Sequence, residues 1–597
     1  GETSAQPDKE ARQRLVIEAL ADKWAKAPPS HPIIVAGSTG SRGATALFMQ
    51  AVAKLPQGAI ILPGYDFDLP DQVWDAMDDN MTAEDHPQFR FRRLMDLIGF
   101  GNEDVRPWTT ATPAHPKRNA LVSLSLRPAP VTNQWLTDGP KLGDLIAATD
   151  DLTLIEASSP RAEAETIALR LRKAAEEGIT AALISPDRML TRQVTAALDR
   201  WNIKPDDSAG TPLALSPPGR LLRHVAGLFG QALTGEALLT LLKHPLCHSE
   251  HPDCGDHLRH TRDLELHLRR WGPPFPTAGD LYAWAEKSAD RTIWAEWLTA
   301  LVTGHEDSGI QPLGEYLEQH LALAEALCAG PGAEGAGGLW AEAAGREAVR
   351  ICDDLRRAAH AGGQLNARDY AALFEGVINE GVVRDRDAGH PDILIWGTLE
   401  ARVQGVDLTI LGGMNDGVWP EAPAPDPWLN RMMRAKSGLL LPERRIGLSA
   451  HDYQQAIAGK EVWITRAKRS ADAETVPSRW VNRLTNLLRG LPDQNGKAAL
   501  DAMLARGASW SATAAKLSAP THRIDPEPRP SPCPPPAARP DQLSVTQIKT
   551  LIRDPFAIYA RKVLNLSELD PLVPTADAPL RGIIVHKILE RFIADGH

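Results

Sequence analysis

The sequence predicts an α/β protein whose parallel-sheet domains are interrupted by a long helical segment. Apolar runs typical of buried strands recur along the chain, and amphipathic stretches with helical spacing follow several of them. Residues 217–384, by contrast, have a mostly helical pattern rich in Leu, Ala and Arg. At 597 residues the chain is too long for one hydrophobic core, and its length predicts roughly three to five domains.

Residues 1–150 are expected to form a first α/β domain. The run HPIIVAG at 31–37 predicts a strand, and the stretch ATALFMQAVAKL at 44–55 predicts a helix. The run GAIILPG at 58–64 then predicts a second strand. This alternation of strand and helix is typical of parallel α/β folds.

A second α/β domain is predicted from two separated stretches, 151–216 and 385–515. The run DLTLIEA at 151–157 predicts its first strand, after which Ser159 suits an N-cap and Pro160 the first helical position. Further strand-like runs are TAALIS at 180–185, DILIW at 392–396, VDLTILGG at 406–413 and EVWITRA at 461–467. The helical segment between the two stretches is therefore interpreted as an insertion.

The last part of the chain is predicted to contain a linker and the beginning of another domain. Residues 516–542 are so rich in proline that a stiff, extended linker is expected. Residues 543–597 then contain two amphipathic stretches. Gly1 in place of Met, and a helical pattern that reaches His597, together indicate a chain truncated at both ends.

Composition limits the class of protein. The net charge of -11 argues against a uniformly basic surface, although a basic channel can lie within an acidic protein. No run of 18 apolar residues is present in the sequence, so a membrane-spanning role is not expected. Five cysteines in no regular pattern, and the lack of an N-terminal signal pattern, predict a protein of the reducing cytoplasm.

Three features resemble catalytic signals but have simpler interpretations. The loop GSTGSRG at 37–43 lacks the Lys-Ser/Thr of a phosphate-binding P-loop, so a nucleotide site is not expected there. Asp66 and Asp68 follow an apolar strand and are interpreted as a structural turn rather than a metal site. The sequence Glu-Ala-Arg at 400–402 lacks the lysine of a Glu-x-Lys nuclease signature.

Zinc-capable side chains are concentrated between residues 243 and 260. They are Cys247, His248, His251, Cys254 and His257. Their spacing does not match a paired-ligand zinc knuckle, so a solvated helix-loop-helix is favoured over a zinc site.

The most specific signal is a series of motifs in the second half of the chain. They are WGTLEARVQGVD at 396–407, ILGGMNDGVWP at 410–420, PERRIGLSAHD at 442–452 and WITRA at 463–467. Their order resembles the late motifs of UvrD-like superfamily 1 helicases, and their residues are most similar to AddB subunits of AddAB-type helicase-nucleases of the alphaproteobacterial kind. Further segments that match this family lie at 36–48, 62–66, 86–99 and 476–484, so the resemblance covers nearly the whole chain.

The resemblance implies UvrD-like, helicase-type parallel-sheet domains and a set of DNA-binding residues. The implied residues are Arg402, Gln404, Asn415 and Arg466. For the two arginines a structural ion pair is the alternative, since arginines in ordered α/β proteins are usually positional. The glycines at 412–417 permit tight turns at the carboxyl edge of a sheet, which is either a ligand-binding edge or a well-packed turn without a ligand.

The final segment resembles the entry to a RecB-type nuclease domain of the PD-(D/E)xK superfamily. The similar stretches are 543–566 and 581–592. In that family the helix histidine, here His586, helps to coordinate the catalytic metal, so the resemblance implies a Mg²⁺ ligand whose acidic and lysine partners are absent from this chain. Many relatives carry an iron-sulfur ligand before Pro-Phe, but Asp554 stands there in this chain, so an iron-sulfur cluster is not expected.

Together these features imply a bacterial, cytoplasmic subunit of an ATP-dependent helicase-nuclease that processes DNA double-strand ends for recombinational repair. An AddA-like partner would supply the ATP-driven motor, while this subunit would guide single-stranded DNA and, when intact, cut one strand with Mg²⁺. The fragment alone is expected to be inactive, and no membrane partner is expected. Two alternatives stay open: a non-catalytic scaffold or DNA-recognition subunit, and an independent helicase, which the missing P-loop disfavours.

Overall fold

The computed structural model describes residues 8–38, 40, 43–77, 80–249, 255–384, 389–402, 404–573 and 578–594. The chain divides into two compact units. The first contains Gly1–Ala209 and Arg386–Thr521, and the second contains Gly210–Asp385 and His522–His597. We call them the sheet unit and the helical unit.

The described secondary structure is mixed α and β, as the sequence predicts. The strands are β1 Ile33–Ala36, β2 Gly58–Ile61, β3 Leu152–Ala157, β4 Ala181–Ile184, β5 Pro205–Asp207, β6 Thr211–Pro212, β7 Ile310–Pro312, β8 Gln364–Asn366, β9 Val382–Val383, β10 His390–Trp396, β11 Leu408–Leu411, β12 Glu461–Ala467, β13 Arg469–Ser470 and β14 Ala473–Glu474. The helices are α1 Lys9–Lys26, α2 Gly43–Ala53, α3 Asp71–Asp75, α4 Asn80–Ala83, α5 Phe89–Ile98, α6 Pro116–Ser125, α7 Gln134–Asp138, α8 Pro160–Glu177, α9 Arg188–Leu198, α10 Pro217–Ala226, α11 Gly235–Leu242, α12 Gly255–Trp271, α13 Ala278–Ala285, α14 Thr292–Val302, α15 Leu313–Ala329, α16 Glu342–Ala358, α17 Ala367–Asn379, α18 Arg431–Lys436, α19 Arg444–Ala456, α20 Arg479–Arg489, α21 Gly496–Ser518, α22 Val545–Arg553, α23 Pro555–Ile558 and α24 Ala578–Ala594.

A six-stranded sheet forms the centre of the sheet unit, with strand order β3-β12-β11-β4-β10-β5. Each neighbouring pair of strands is parallel, which confirms the predicted α/β class with a parallel sheet. Strands β4 and β11 are buried along their whole length, which explains why their sequences are continuous apolar runs rather than alternating ones. Strands from both sides of the helical segment therefore share one sheet.

Helix α8 covers this sheet, and local signals set where it begins. The Ser159 hydroxyl accepts the Ala162 N–H at 3.2 Å, and Pro160 occupies the first turn, as the sequence predicts. Ile167 and Leu171 are fully buried in the core beneath the helix. Burial of each such side chain contributes about 1.5–3 kcal/mol to stability, so the packing of α8 is a substantial part of what holds the unit together.

The predicted strands at 31–37 and 58–64 form a smaller parallel pair, β1 with β2, in the same unit. A separate cluster of buried side chains lies after β2, and Trp74 and Phe89 are among its members. Residues 1–150, which the sequence suggests as a domain of their own, thus belong to the same compact unit as the six-stranded sheet.

The helical unit has its own apolar core, built from α10 to α17 and two short antiparallel strand pairs. At its centre His320 is fully buried, with Nδ1 2.7 Å from the Tyr370 hydroxyl and Nε2 2.8 Å from Leu222 O. Burial lowers the pKa of His320 to about 4, so the ring is neutral at pH 7. Its Nε2–H therefore donates to the carbonyl, and its Nδ1 accepts from the tyrosine.

The end of the chain carries exposed helices. Ser544 and Gln547 form a reciprocal capping box that begins α22, but no residue of this helix is buried. Helix α24 leaves Ile588 largely exposed as well. Helix α21 reaches Ser518, so the predicted linker begins slightly later than expected, and residues 519–535 are exposed without helix or strand apart from one partly buried position. No helix among the described residues is long and apolar enough to cross a membrane.

Gly507 allows α21 to lie directly against β3, which gives a test of this packing. A Cβ at this position would stand 2.0 Å from Leu154 O, and a backbone atom cannot move aside cheaply. We expect Gly507→Ala to lower the melting temperature of the sheet unit in calorimetry, at a cost of about 1–3 kcal/mol. The control is Gly376→Ala, because a Cβ there meets nothing within 4 Å. An unchanged melting temperature for Gly507→Ala would refute this close contact.

Candidate functional site at the carboxyl edge of the parallel sheet

The loops after β11 and β12 are joined at the carboxyl edge of the six-stranded sheet. Met414 N–H donates to Thr465 O at 2.8 Å, and Ser478 N–H donates to Met414 O at 2.9 Å. Residues 412–420 and 465–478 are therefore joined by hydrogen bonds, and we call them the edge cluster. This edge is where open parallel sheets commonly bind their ligands.

A buried carboxylate, that of Glu163, ties the first turn of α8 to the edge cluster. Its Oε1 accepts the Gly413 N–H at 2.9 Å and the Thr465 hydroxyl at 2.6 Å. Burial is the main cause that raises the pKa of Glu163 above the ordinary carboxyl range, while these two hydrogen bonds act in the opposite direction. The edge cluster is thus held by a buried carboxyl group that is costly to ionise and that accepts two hydrogen bonds.

Arg466 donates from each of its three guanidinium nitrogens. Nε donates to Asn415 Oδ1 at 3.1 Å, Nη1 to Glu156 Oε1 at 2.7 Å and Nη2 to Thr475 O at 3.0 Å. The side chain is only 5% exposed, so these contacts hold together the end of β3 and the two loops of the edge cluster. This is the structural ion pair that the sequence leaves open for Arg466, and a contact of Arg466 with DNA stays a prediction.

Arg402 is also held in an ion pair. Its Nε donates to Asp452 Oδ1 at 2.5 Å and its Nη2 to Asp452 Oδ2 at 3.0 Å, which is a bidentate arrangement. The two side chains are 14% and 3% exposed, so the pair links the turn at 400–402 to α19 mostly out of contact with water. Gln404 is exposed, and residue 403 lies outside the described residues. DNA contacts of Arg402 and Gln404 also stay predictions.

The side chains of Asn415 and Trp419 hold the glycine-rich loop in place through hydrogen bonds. Asn415 Nδ2 donates to Ala467 O at 3.1 Å, and the buried Trp419 Nε1–H donates to Gly412 O at 3.1 Å. Gly413 has a φ of 73°, a left-handed conformation that strains residues with a side chain. The loop therefore has the tight turns that its glycines predict, and its polar groups are largely engaged within the fold.

The cations that the edge cluster presents to water lie after β12. Arg469 is exposed, and Lys468 is about half exposed, with its Nζ 3.5 Å from a carboxylate oxygen of Glu156. Arg469 faces Glu474 across the β13–β14 pair. Asp416 and Asp472 are exposed in the same cluster, so an anionic polymer could contact it only locally, through Lys468 and Arg469.

Three carboxylates that hold this site are not singled out by the sequence patterns. They are Glu156, Glu163 and Asp452. For Glu163 a signal is available, because it shares a helix face with Ile167 and Leu171, and a carboxylate on a buried face needs partners. Those partners cannot be read from spacing, since Glu163 and Thr465 are 302 residues apart.

The predicted metal ligand His586 is exposed on α24. Within the part of the chain that the structure describes, no group of three or more His, Cys, Asp or Glu side chains is placed to hold a metal ion. Asp554, at the position where the resembling family has an iron-sulfur cysteine, caps α23 by accepting the Ala557 N–H at 3.2 Å. Its carboxylate therefore has a local structural role.

Of the zinc-capable side chains, His251 and Cys254 lie outside the described residues. His257 is engaged at both ring nitrogens: Nε2 lies 2.8 Å from Leu242 O, and Nδ1 accepts the Trp294 Nε1–H at 3.1 Å. Burial is the main cause that lowers the pKa of His257, so the neutral ring is favoured. In this state both ring nitrogens keep their hydrogen bonds. The ring would have to give up one of these bonds to bind zinc.

Asp66 forms the kind of turn that the sequence predicts after β2. Its Oδ1 accepts the Asp68 N–H at 2.9 Å, and its Oδ2 accepts from Gln454 Nε2 at 2.8 Å. The glycine loop predicted not to bind nucleotide does lie between β1 and α2, but its residues 39, 41 and 42 are outside the described part.

Comparison with known proteins finds distant relatives. No protein-family profile matches the chain. Among curated proteins, the chain is similar to uncharacterized proteins of Rickettsia felis, 22% identical over 263 residues, and of Rickettsia bellii, 23% identical over 259 residues. Each alignment covers 42% of this chain but 28% and 29% of the relatives, so the chain spans less than a third of their length.

The role of Glu163 can be tested through stability. We expect Glu163→Ala to lower the free energy of unfolding by about 1–3 kcal/mol, because the Gly413 N–H would be left buried without an acceptor. Glu163→Gln keeps an acceptor oxygen and should cost less. Urea denaturation measures both, and Glu176→Gln, an exposed change on the same helix with its side chain 66% exposed, is the control.

The pH dependence of the same variants follows from the raised pKa of Glu163. The native state favours the protonated acid, so the wild type should lose stability as pH rises from the unfolded value of about 4.3 through the raised native value. Glu163→Gln should flatten that decline, whereas Glu176→Gln should not. Identical pH profiles for wild type and Glu163→Gln would contradict the burial of an ionisable group here.

Proposed function

We propose that this chain is an AddB-like subunit of an ATP-dependent helicase-nuclease that processes DNA double-strand ends, and that its edge cluster guides single-stranded DNA. One observation carries the proposal. Segments whose order resembles UvrD-like helicases and AddB, at 410–420, 463–467 and 476–484, are far apart in sequence yet join one another at the carboxyl edge of one sheet. An edge of this kind is a usual ligand site in α/β folds.

The exposed cations, rather than the buried arginines, are the groups that would touch DNA phosphates. Arg402 and Arg466 have their charges engaged by Asp452 and Glu156, and their displacement toward a ligand would break those pairs. Lys468 and Arg469 are accessible at the same edge. In this proposal the buried arginines position the loops, and the exposed cations supply salt-sensitive affinity.

ATP enters the proposed function through an AddA-like partner subunit. The loop at 37–43 lacks the lysine and the Ser/Thr that hold nucleotide phosphates and magnesium, so this chain would contribute a DNA path rather than a motor. An independent helicase is therefore the less favoured function.

Strand cutting with Mg²⁺ is the part of the proposed function that belongs to the intact protein. His586 would supply one ligand, but by itself it does not make a magnesium site, because Mg²⁺ prefers an octahedral set of oxygen ligands. The alternative of a non-catalytic scaffold or DNA-recognition subunit uses the same edge cluster. The two differ in whether the intact protein cuts DNA.

The DNA-guiding role predicts weak, salt-sensitive binding of single-stranded DNA. We expect a fluorescent oligonucleotide of about 20 nucleotides to bind the purified chain, with affinity that falls steeply between about 50 and 200 mM salt. Arg469→Glu should weaken this binding several-fold and reduce the salt slope by about 0.7, the effect of one lost contact to a single strand. Addition of ATP should leave the affinity unchanged.

The matched control is Lys497→Glu, an equal charge reversal at an exposed residue in the first turn of α21 and outside the edge cluster. It should bind DNA like the wild type, apart from a small loss from the change in net charge. Arg402→Glu is not a suitable probe, since it would place two carboxylates together in a mostly buried pair. Salt-independent binding, a strong effect of ATP, or equal losses in the two variants would each contradict the proposal.

A further inference from the structure

A large cleft lies within the sheet unit, and the DNA-guiding function makes no use of it. Its volume is about 1220 Å³. The walls are formed by residues 58–68 after α2, by the end of α5 with the loop at 104–113, by one face of α6 and by the end of α19. Small-molecule sites usually measure about 300–1,000 Å³, so this cleft has room for a segment of polymer.

The cleft is mostly apolar and has exposed aromatic rings on its lining. Phe67 is 57% exposed, Phe100 46% and Trp108 66%. Beneath them Tyr65 is stacked on Trp74, with ring centroids 5.1 Å apart. Rings left in water around a concave apolar surface are typical of a binding site, because covering them removes apolar area from solvent.

The charges of the cleft are predominantly negative. Asp66, Asp68 and Asp104 line it, and among the described lining residues Arg106 is the cation. Arg127 lies close by and donates from Nη2 to Asp68 O at 3.1 Å. Asp66 is held by Gln454 and by the Asp68 N–H, whereas Asp68 is itself an exposed residue. Partial burial of its carboxyl group, followed by the charge of Asp66, raises the pKa of Asp68, while the charge of Arg127 acts in the opposite direction.

The cleft lining includes several side chains that can form hydrogen bonds. Asn119 and Gln455 are among the polar lining side chains, and Gln455 Oε1 is buried without a hydrogen-bond partner among the described residues. A hydrogen-bond donor on an occupant would satisfy this acceptor. Proline-rich segments are already extended, so they lose little conformational entropy on binding.

From these features we infer that the cleft binds an extended, proline-rich segment of a partner protein that carries an arginine or lysine. The prolines pack on Phe67 and Trp108, in the way that aromatic-lined grooves hold such segments in general. The basic side chain pairs with Asp68 or Asp104 at the cleft. A nucleic-acid strand fits less well, because its phosphates would face three carboxylates.

The test uses the whole chain and a fluorescein-labelled peptide of about ten residues, mostly proline with two arginines. Fluorescence anisotropy should show saturable binding. Trp108→Ala should weaken it about tenfold, because an exposed aromatic anchor is lost without disturbing the core. Asp68→Asn should weaken it several-fold, and a peptide with glutamate in place of arginine should bind poorly to the wild type.

The matched control is Trp428→Ala, a change at another tryptophan of the sheet unit that is 87% exposed and does not line the cleft. It should bind the peptide like the wild type. No binding of the arginine peptide, equal binding by Trp108→Ala and the wild type, or stronger binding of the glutamate peptide would overturn the inference. Displacement of the peptide by an oligonucleotide that loses affinity in Trp108→Ala would overturn it as well and assign the cleft to nucleic acid.

Discussion

The edge cluster is held together by a few charged and polar groups that pair with one another away from water. Glu163 lies under the carboxyl edge of the sheet, where a carboxylate without partners would be strongly destabilising. The Gly413 N–H and the Thr465 hydroxyl meet it, and Arg466 meets Glu156 beside it. Because these groups come from different strands and loops, removal of one leaves polar atoms of its neighbours without their partner.

This arrangement explains why the arginines of the motifs act first as structural residues. A guanidinium that donates from all its nitrogens, as Arg466 does, fixes the loops around it and has little freedom to follow a ligand. The same rigidity serves a binding surface, since exposed groups such as Arg469 are then held on a preformed edge. In the proposed DNA-guiding role, the exposed cations would supply affinity, and the buried arginines would fix the shape of the loops.

The positions of the strands can be predicted from the sequence, but the strands with which they pair cannot. The runs at 181–184 and 408–411 are apolar without alternation because both faces of these strands are buried, and Ser159 marks the start of α8 through its own hydroxyl. The position of β12 between β3 and β11 depends on packing between distant segments, which local patterns do not encode. For the same reason the motifs single out Arg466 and Asn415 but do not reveal that the two side chains pair.

Photo-crosslinking tests the central claim, that the edge cluster is the DNA-contacting surface, most directly. Single-stranded DNA carrying iodouracil would be bound to the chain at low salt and irradiated, and the crosslinked peptides identified by mass spectrometry. The account predicts crosslinks within residues 412–420 and 465–478, suppressed by excess unlabelled strand. Crosslinks confined to the helical unit, or to the cleft that Phe67 and Trp108 line, would contradict this claim.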